Sequence, residues 1–369
     1  MKFTCQQQLL NEAINNVSRA VAIKSSIPVL EGIRVALRDG RLELTGYDLE
    51  IGIQTEIAVN SADSGEIVLN ARLFSDIIRK MPSDMIDFDI DEALNVTISS
   101  SSAEYKISAM NAKEYPDVPE VYKENALEIP QAQLKNMINQ TIFAVAANEG
   151  RSPVLTGELF NISGGSFDLV ALDGYRLAVR TEKIKNEDDY KFVVPAKAMS
   201  EVAKILSDES DKVCLIYQAK KHIIFDISGY IVISRLLEGD FHDYKSSIPV
   251  DHSTEVVLKT RNLIQSLERC TLLISDKIKA PVRCIFGNGV VKISCSSTIG
   301  KLNDEFEIDH TGNVLEIGFN CRYLLDALKA TESDRIRLLM KAENKPMKIV
   351  PMEGNSYTFL VLPVRLKQE

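Results

Sequence analysis

Apolar residues recur along this chain with two periods. Strict alternation marks strands such as MIDFDI, NVTISS and HIIFDIS, and spacings of three and four mark helices. The clearest helical stretch is NARLFSDIIR, Asn70 to Arg79, which returns as PAKAMSEVAK from Pro195 and as NCRYLLDALK from Asn320, each time 125 positions on. One face of it is apolar: Leu73, Phe74, Ile77 and Ile78, then Ala198, Met199, Val202 and Ala203, then Tyr323, Leu324, Ala327 and Leu328. That is the spacing of a helix laid on a sheet. The other face carries cations two turns apart, Arg72 with Arg79, Lys197 with Lys204 and Arg322 with Lys329, and Asp76, Glu201 and Asp326 sit between them. Singly, each helix reads as a solvated face with local ion pairs. Three copies in register make a chain of three repeats.

The remaining pattern follows the same period. The first repeat predicts a short strand, a helix over Gln7 to Lys24, a hairpin at Asp39-Gly40, a strand pair near Tyr47 to Val59, a helix over Ala71 to Met81, and three closing strands. The second predicts strand LEIP, a helix over Gln131 to Ala147, a hairpin at Gly164-Gly165, a helix over Ala196 to Leu206, and three strands. The third predicts strand EVVLK, a helix over Arg261 to Ile274, a hairpin at Asn288-Gly289, a helix over Asn320 to Ala330, and strands RIRLLM, PMKIV and YTFLVLPV. Asp-Gly and Asn-Gly between alternating runs are hairpin signals. Linkers EYPDVPEVYKEN and GDFHDYKSSIP then divide the chain into domains 1–125, 126–250 and 251–369. The fold class is α+β, each domain holding antiparallel sheet with two helices on one side.

Charge changes the picture. The net charge of −9 argues against a nucleic-acid partner at first sight. Yet the six predicted helices hold 12 Lys and Arg against 5 Asp and Glu, while the other residues hold 31 against 47. Helices that are net basic therefore sit in an acidic shell. Six cysteines without a CxxC pair, no signal peptide and no long apolar run point to a soluble cytoplasmic protein, with no membrane partner. Catalysis finds no support. The four histidines, His222, His242, His252 and His310, lie near strand ends or linkers, where Asp251-His252 and Asp309-His310 are neighbours only in sequence. Gly287-Asn288-Gly289 lacks the third glycine of a dinucleotide site, and neither a P-loop nor a metal-ligand spacing occurs. A non-catalytic chain without cofactors is expected.

Seven stretches in this order, MKFT, LTGYDLEI, ARLFSDIIR, LDGYRLAV, GDFHDY followed by IP, IGFNCRYLLDAL and LPVRL, give the chain a resemblance to the bacterial DNA sliding clamps. That family is the beta subunit of the replicative polymerase. The resemblance implies the DNA clamp fold: three tandem repeats closing, as a head-to-tail homodimer, into a six-domain ring with its helices toward the hole. It implies sequence-independent binding of double-stranded DNA, and as further partners the replicative polymerase subunit, the clamp loader and other proteins with a clamp-binding motif. Lys24, Arg72, Arg79, Lys197 and Lys204 would face DNA, Lys24 from the end of the first helix. Scattered cations attract phosphate without reading bases, as sliding requires.

A peptide cleft is implied at Leu155, Leu172, Gly174, Tyr175, Arg176 and Leu177, with Phe241, His242, Asn320, Tyr323 and Met347, and with Leu362, Pro363, Val364, Arg365 and Leu366 at the chain end. The bland alternative for FLVLPVRL is a last core strand. A dimer contact is implied at Tyr105, Leu273 and Ile274. The sequence departs from the family pattern at Tyr175, where many relatives have histidine, at His242, at Ser246 and in the terminal Lys367-Gln368-Glu369. The competing class is a triplicated protein-binding scaffold that never encircles DNA, and retention on circular against linear DNA separates the two.

Overall fold

The computed structural model describes residues 1–82, 84–119, 123–147, 150, 152–186, 188–274 and 280–366. In the first repeat, β1 (Lys2–Gln6) and α1 (Gln7–Val17) precede β2 (Gly32–Arg38), β3 (Arg41–Tyr47), β4 (Ile51–Ala58) and β5 (Gly65–Asn70). Then come α2 (Ala71–Lys80), β6 (Met85–Ile90), β7 (Asn95–Ser100), β8 (Ala103–Ser108) and the short β9 (Met110–Asn111). The second repeat runs β10 (Leu127–Pro130), α3 (Gln131–Thr141), β11 (Gly157–Ser163), β12 (Ser166–Leu172), β13 (Arg176–Lys183) and β14 (Tyr190–Pro195). It ends with α4 (Ala196–Ile205), β15 (Val213–Gln218), β16 (His222–Ile227) and β17 (Tyr230–Arg235). The third has β18 (Thr254–Lys259), α5 (Thr260–Thr271), β19 (Val282–Gly287), β20 (Val290–Ser297), β21 (Gly300–Glu307), β22 (Asp309–Gly312) and β23 (Leu315–Phe319). It closes with α6 (Cys321–Ala330), β24 (Arg335–Met340), β25 (Met347–Pro351) and β26 (Tyr357–Val361).

These strands form four antiparallel sheets. Two have four strands, in the orders β1-β6-β7-β8 and β21-β20-β19-β23. Two have nine, β10-β15-β16-β17-β4-β3-β2-β5-β9 and β14-β11-β12-β13-β26-β25-β24-β18-β22. Each nine-stranded sheet runs unbroken from one repeat into the next, through β4 with β17 and through β13 with β26. Backbone hydrogen bonds thus cross the places where linkers suggest boundaries. The chain accordingly divides into two compact units, Met1–Lys135 with Glu201–Leu236, and Asn136–Ser200 with Leu237–Glu369. Repeats and units count different things: the division passes through α3 and α4, inside the middle repeat.

In the first unit, α1 buries Leu10, Ala13, Ile14 and Val17, and α2 buries Phe74, Ile77 and Ile78. Phe74 meets the Phe88 ring edge-on at 6.2 Å, and Phe3 stacks on Phe88 at 4.4 Å. Leu73, expected on the buried face, is instead exposed, because it lies about 100° round the helix from Phe74, outside the stripe of Ala71, Phe74, Ile77 and Ile78. In the second unit, Leu263, Leu267 and Cys270 of α5 share one core with Leu324, Ala327 and Leu328 of α6 and with the inner side of β19 and β20. All six cysteines are buried free thiols. Burial pushes the Cys284 and Cys321 thiols up to about 12, so they are protonated and act as small core hydrophobes.

Local signals explain most boundaries. Asn70 caps α2, its side chain accepting the Leu73 N–H, and Asn320 caps α6 through the Arg322 and Tyr323 N–H groups. The three hairpins place Asp39-Gly40, Gly164-Gly165 and Asn288-Gly289 at positive φ in both positions, as a type I′ turn demands. Three expectations need correction. The helix read as reaching Lys24 ends at Val17, tightens into a 3₁₀ turn over Ser18–Ala20, and leaves Val21 extended. β-Branched Val17, Val21 and Ile23 give little helical support there, and the Ala22 N–H bonds the Leu30 carbonyl at 3.0 Å instead. The helix read as reaching Ala147 likewise stops at Thr141 and tightens over Ile142–Ala144. The stretch near Tyr47 to Val59 is one strand, β4, after a turn, and β5 was not anticipated.

Candidate functional site

The repeated helices carry their cations outward, and their acids settle differently in each copy. On α2, Arg79 donates to Asp76 at 2.5 Å, whereas Arg72 is exposed and has no ion-pair partner among the described residues. On α4, Lys204 donates to Glu201 at 2.8 Å, Arg19 approaches the same carboxylate at 3.5 Å, and Lys197 is exposed. On α6 the acid and the last-turn cation pair elsewhere: Lys329 bonds Glu268 of α5 at 2.8 Å, and Asp326 turns to Arg176 at 2.7 Å. Ordinary helix-surface pairing therefore accounts for Arg79 and Lys204. The first-turn cations Arg72, Lys197 and Arg322 project from their helices as exposed residues. Lys24 is exposed on the irregular segment beyond α1, next to a fully exposed Ile23, and so is not presented by a helix.

A cleft of about 1020 Å³ opens in the second unit. Its floor is Arg176, whose guanidinium is bonded to Asp173 at 3.0 Å and Asp326 at 2.7 Å. The rings of Tyr323 and Phe143 lie 4.5 Å and 5.5 Å from that guanidinium. The turn before β13 sets Tyr175 on the wall. Asp173 Oδ1 accepts the N–H groups of Tyr175 and Arg176 at 2.8 and 3.0 Å, and Gly174 takes φ of 87°. Tyr175 is left half exposed, its ring 6.0 Å from that of Tyr323.

The chain end forms the other lip. The Leu362 N–H bonds the Tyr175 carbonyl at 2.9 Å, and the Val364 N–H bonds the Gly318 carbonyl at 2.7 Å. Gly318 has to be glycine, because a Cβ there would lie 2.6 Å from the Val364 oxygen and 2.7 Å from a Leu366 methyl. Leu362 and Val364 remain about 40 % exposed, which core-strand residues would not be.

The anticipated cleft residues fall into four groups. Leu155, Tyr175, Arg176, Asn320, Tyr323 and Val364 line it. Leu172, Leu177 and Phe241 are buried in an apolar layer with Val154, Tyr244 and Leu360, against which Leu155 packs. Met347 is fully buried in the core opposite Val361 and offers no surface, which corrects its placement on a wall. His242 is exposed, with its Nε2 3.4 Å from Ser247 Oγ, and Arg365 is exposed beside half-buried Pro363 and Leu366. Lys367-Gln368-Glu369 lie outside the described residues. Asp173, Asp326 and Phe143 went unanticipated. The Asp-Gly-Tyr-Arg run could have flagged Asp173, but nothing in sequence links Asp326 or Phe143 to Arg176. Of the anticipated dimer residues, Tyr105 is exposed on edge strand β8 and Leu273 is half-buried, while Ile274 lines the cleft. The neighbouring Leu272 is 78 % exposed and was not singled out.

Three family profiles cover the chain in order: the N-terminal domain of the DNA polymerase III beta subunit over residues 1–119, the central domain over 128–243 and the C-terminal domain over 245–365. The chain belongs to the DNA polymerase III beta subunit family. It is similar to the beta sliding clamp of Bacillus subtilis, with 33% identity across 99% of this chain and 100% of the relative. The beta sliding clamp of Staphylococcus epidermidis is 32% identical across 99% of both. Among solved structures, the DNA polymerase sliding clamp of Bacillus subtilis superposes with a TM-score of 0.95 at 33% identity over 100% of each chain. A putative DNA polymerase III beta subunit of Eubacterium rectale gives 0.94 at 32% identity, covering 99% of this chain and 100% of its own. As in the DNA polymerase III beta subunit family at large, the repeats here are tandem clamp domains built of antiparallel sheet and paired helices. No helix among the described residues is long and apolar enough to cross a membrane.

Proposed function

We infer that this chain is a sliding clamp: two copies close head to tail into a ring around double-stranded DNA and tether the replicative polymerase to it. The repeats 1–125, 126–250 and 251–369 are its domains in this reading. The observation that carries it is a pair of open strand edges. Within the chain, the fourth strand of one repeat pairs with the last strand of the next, β4 with β17 and β13 with β26. The third repeat offers the same strand, β21, at the edge of its sheet, and the first repeat offers β8, its counterpart of β17 and β26, at the edge of another. Unpaired edges are costly to leave open. Pairing β21 of one copy with β8 of a second, and the reverse, satisfies both and closes a heterologous interface after two subunits. Exposed Leu272, half-buried Leu273 and exposed Tyr105 supply apolar surface for that junction.

Arg72, Arg79, Lys197 and Lys204 on the helices, with Lys24 on the segment after α1, attract phosphate at no fixed sequence, which permits sliding. The cleft around Arg176 takes a short aliphatic-and-aromatic peptide from polymerase, clamp loader and other clamp-binding proteins. The subunit is an accessory without chemistry of its own, acting on DNA in the cell interior. Loaded on a circular plasmid, the protein should stay bound through gel filtration in moderate salt and be lost when the plasmid is cut. Equal loss from circular and linear DNA would favour the non-encircling scaffold. Reversing Lys24, Arg72 and Lys197 to Glu should weaken DNA association equally for all sequences. The slope of log affinity against log salt should become shallower by roughly 0.9 for each phosphate that is no longer neutralised. An unchanged slope would return these residues to solvated helix faces.

A further inference from the structure

We propose that closure of the ring is held below the strength of its apolar seam by two lysines, Lys106 of one subunit and Lys301 of the next, set directly opposite each other across the junction. The inference rests on the homodimer reading and adds the register. Strand partners counted outward from the start of the repeated helix make Thr55, Arg180 and Asp304 equivalent: Ile67, Val35, Leu44 and Thr55 face one another in turn, as do Phe192, Phe160, Leu169 and Arg180, and Ile317, Cys284, Ile293 and Asp304. The same counting from the first strand of each repeat makes Tyr105, Val232 and Phe359 equivalent, and therefore Ala103, Tyr230 and Tyr357. Both internal junctions then have one register, Tyr230 opposite Thr55 and Tyr357 opposite Arg180. Carried to the open edges, it sets Asp304 opposite Ala103 of the partner subunit, Leu302 opposite Tyr105 of the partner subunit, and Lys301 opposite Lys106 of the partner subunit.

Side-chain faces agree with this register. Tyr105 lies opposite buried Ile98, and Leu302 opposite buried Cys295, so both point inward and join the apolar seam. Asp304 also points inward, where Ser266 and Arg269 hold it. Lys106 and Lys301 alternate with these and are exposed on the outer side. Among the described residues, the acid that meets Lys106 there is Glu104, at 3.3 Å on the same strand, and the register sets Glu104 opposite Asn303 and only diagonal to Lys301. Glu305 falls opposite Ser102 of the partner subunit, further along. Each junction therefore has two lysines sharing one carboxylate, and like charges directly opposed weaken strand pairing. A ring that must be parted to admit DNA separates more readily for it.

Dimer dissociation measured by sedimentation on the full chain tests this. Lys301→Glu should lower the dissociation constant roughly three- to tenfold, since one cross-strand repulsion becomes an attraction at each of two junctions. Lys106→Glu should act in the same direction. The double variant opposes two glutamates and should lose that gain, a non-additivity that a merely local effect at either position would not give. Rising salt should tighten the wild-type dimer relative to Lys301→Glu. Dimers indifferent to both reversals, or a double variant tighter than either single one, would overturn the register while leaving the ring intact. A wild-type chain that stays monomeric at all concentrations would overturn the ring reading, and this inference with it.

Discussion

Removal of residues 364–369 is expected to lower the affinity for a fluorescent peptide carrying adjacent aliphatic and aromatic side chains by at least tenfold, leaving the dimer and its retention on circular DNA intact. Val364 is a lip of the cleft and is still 41 % exposed, so an incoming side chain would lose an apolar wall that is already in place. A few such buried anchors carry most of an interface, each worth about 2 kcal/mol or more. The cut also frees the Gly318 carbonyl and removes Leu366 from beside Gly318. It touches none of the six helices and neither open edge strand. Tyr175→Ala should weaken the peptide less, since Tyr323 would keep one ring over Arg176. Full affinity in the truncated protein would mean that the segment is only a sheet margin and that partners dock elsewhere.

A second large effect is expected from pH, through Glu158 on β11. This carboxyl is fully buried, and burial pushes its pKa up to about 8, against a smaller opposing effect of its bond to Thr141. Thr141 Oγ1 lies 2.5 Å from Glu158 Oε1 and 2.8 Å from the Met137 carbonyl, but a hydroxyl has a single proton to donate. A neutral Glu158 resolves this by donating to Thr141, which then donates to Met137. Glu158 Oε2 has no hydrogen-bond partner among the described residues, and no cation among them offsets the buried charge.

The sign follows from proton counting. Between the unfolded value of 4.5 and the folded value of about 8, the native chain holds a proton that the unfolded chain has released. Stability therefore falls with rising pH across that window, by up to about 1.4 kcal/mol per pH unit, and levels off above it. Glu158→Gln keeps the shape and removes the titration. Its melting temperature should gain on the wild type between pH 5 and 8, at about 2–4 °C per kcal/mol for a unit of this size. Parallel melting curves against pH for the two proteins would show that Glu158 is ionised in the fold. Because Thr141 ends α3 just before Phe143 and the Val145–Ala147 wall, peptide affinity should hold through that window and decline only as pH rises past about 8, where the folded carboxyl ionises.

How much of this was legible beforehand depends on the range of the interaction involved. The three repeated helices, the three hairpins and the cations on the helices were readable, because each depends on residues within a few positions of one another. The seven family stretches also located the cleft, since Tyr175, Arg176 and Val364 lie within them. Helix ends were harder. Lys24 falls outside α1 because a 3₁₀ turn and the Leu30 carbonyl, not helical periodicity, capture the chain after Val17.

Tertiary structure alone decided the rest. Linker composition could divide the chain into three, but it could not show that β4 pairs with β17 and β13 with β26 across those linkers, which joins the strands into two compact units. Asp326 looked like the partner of a cation on its own helix, yet it bonds Arg176, 150 positions away, because the β12–β13 turn brings a guanidinium within 2.7 Å. Met347 looked like a wall residue and is core, and Ile274, read as a dimer residue, is also part of the cleft lining. Sequence period fixes which residues share a face of one element. Which element that face then meets is set by backbone pairing between segments far apart in the chain, and that pairing leaves no local trace in the residues that make it.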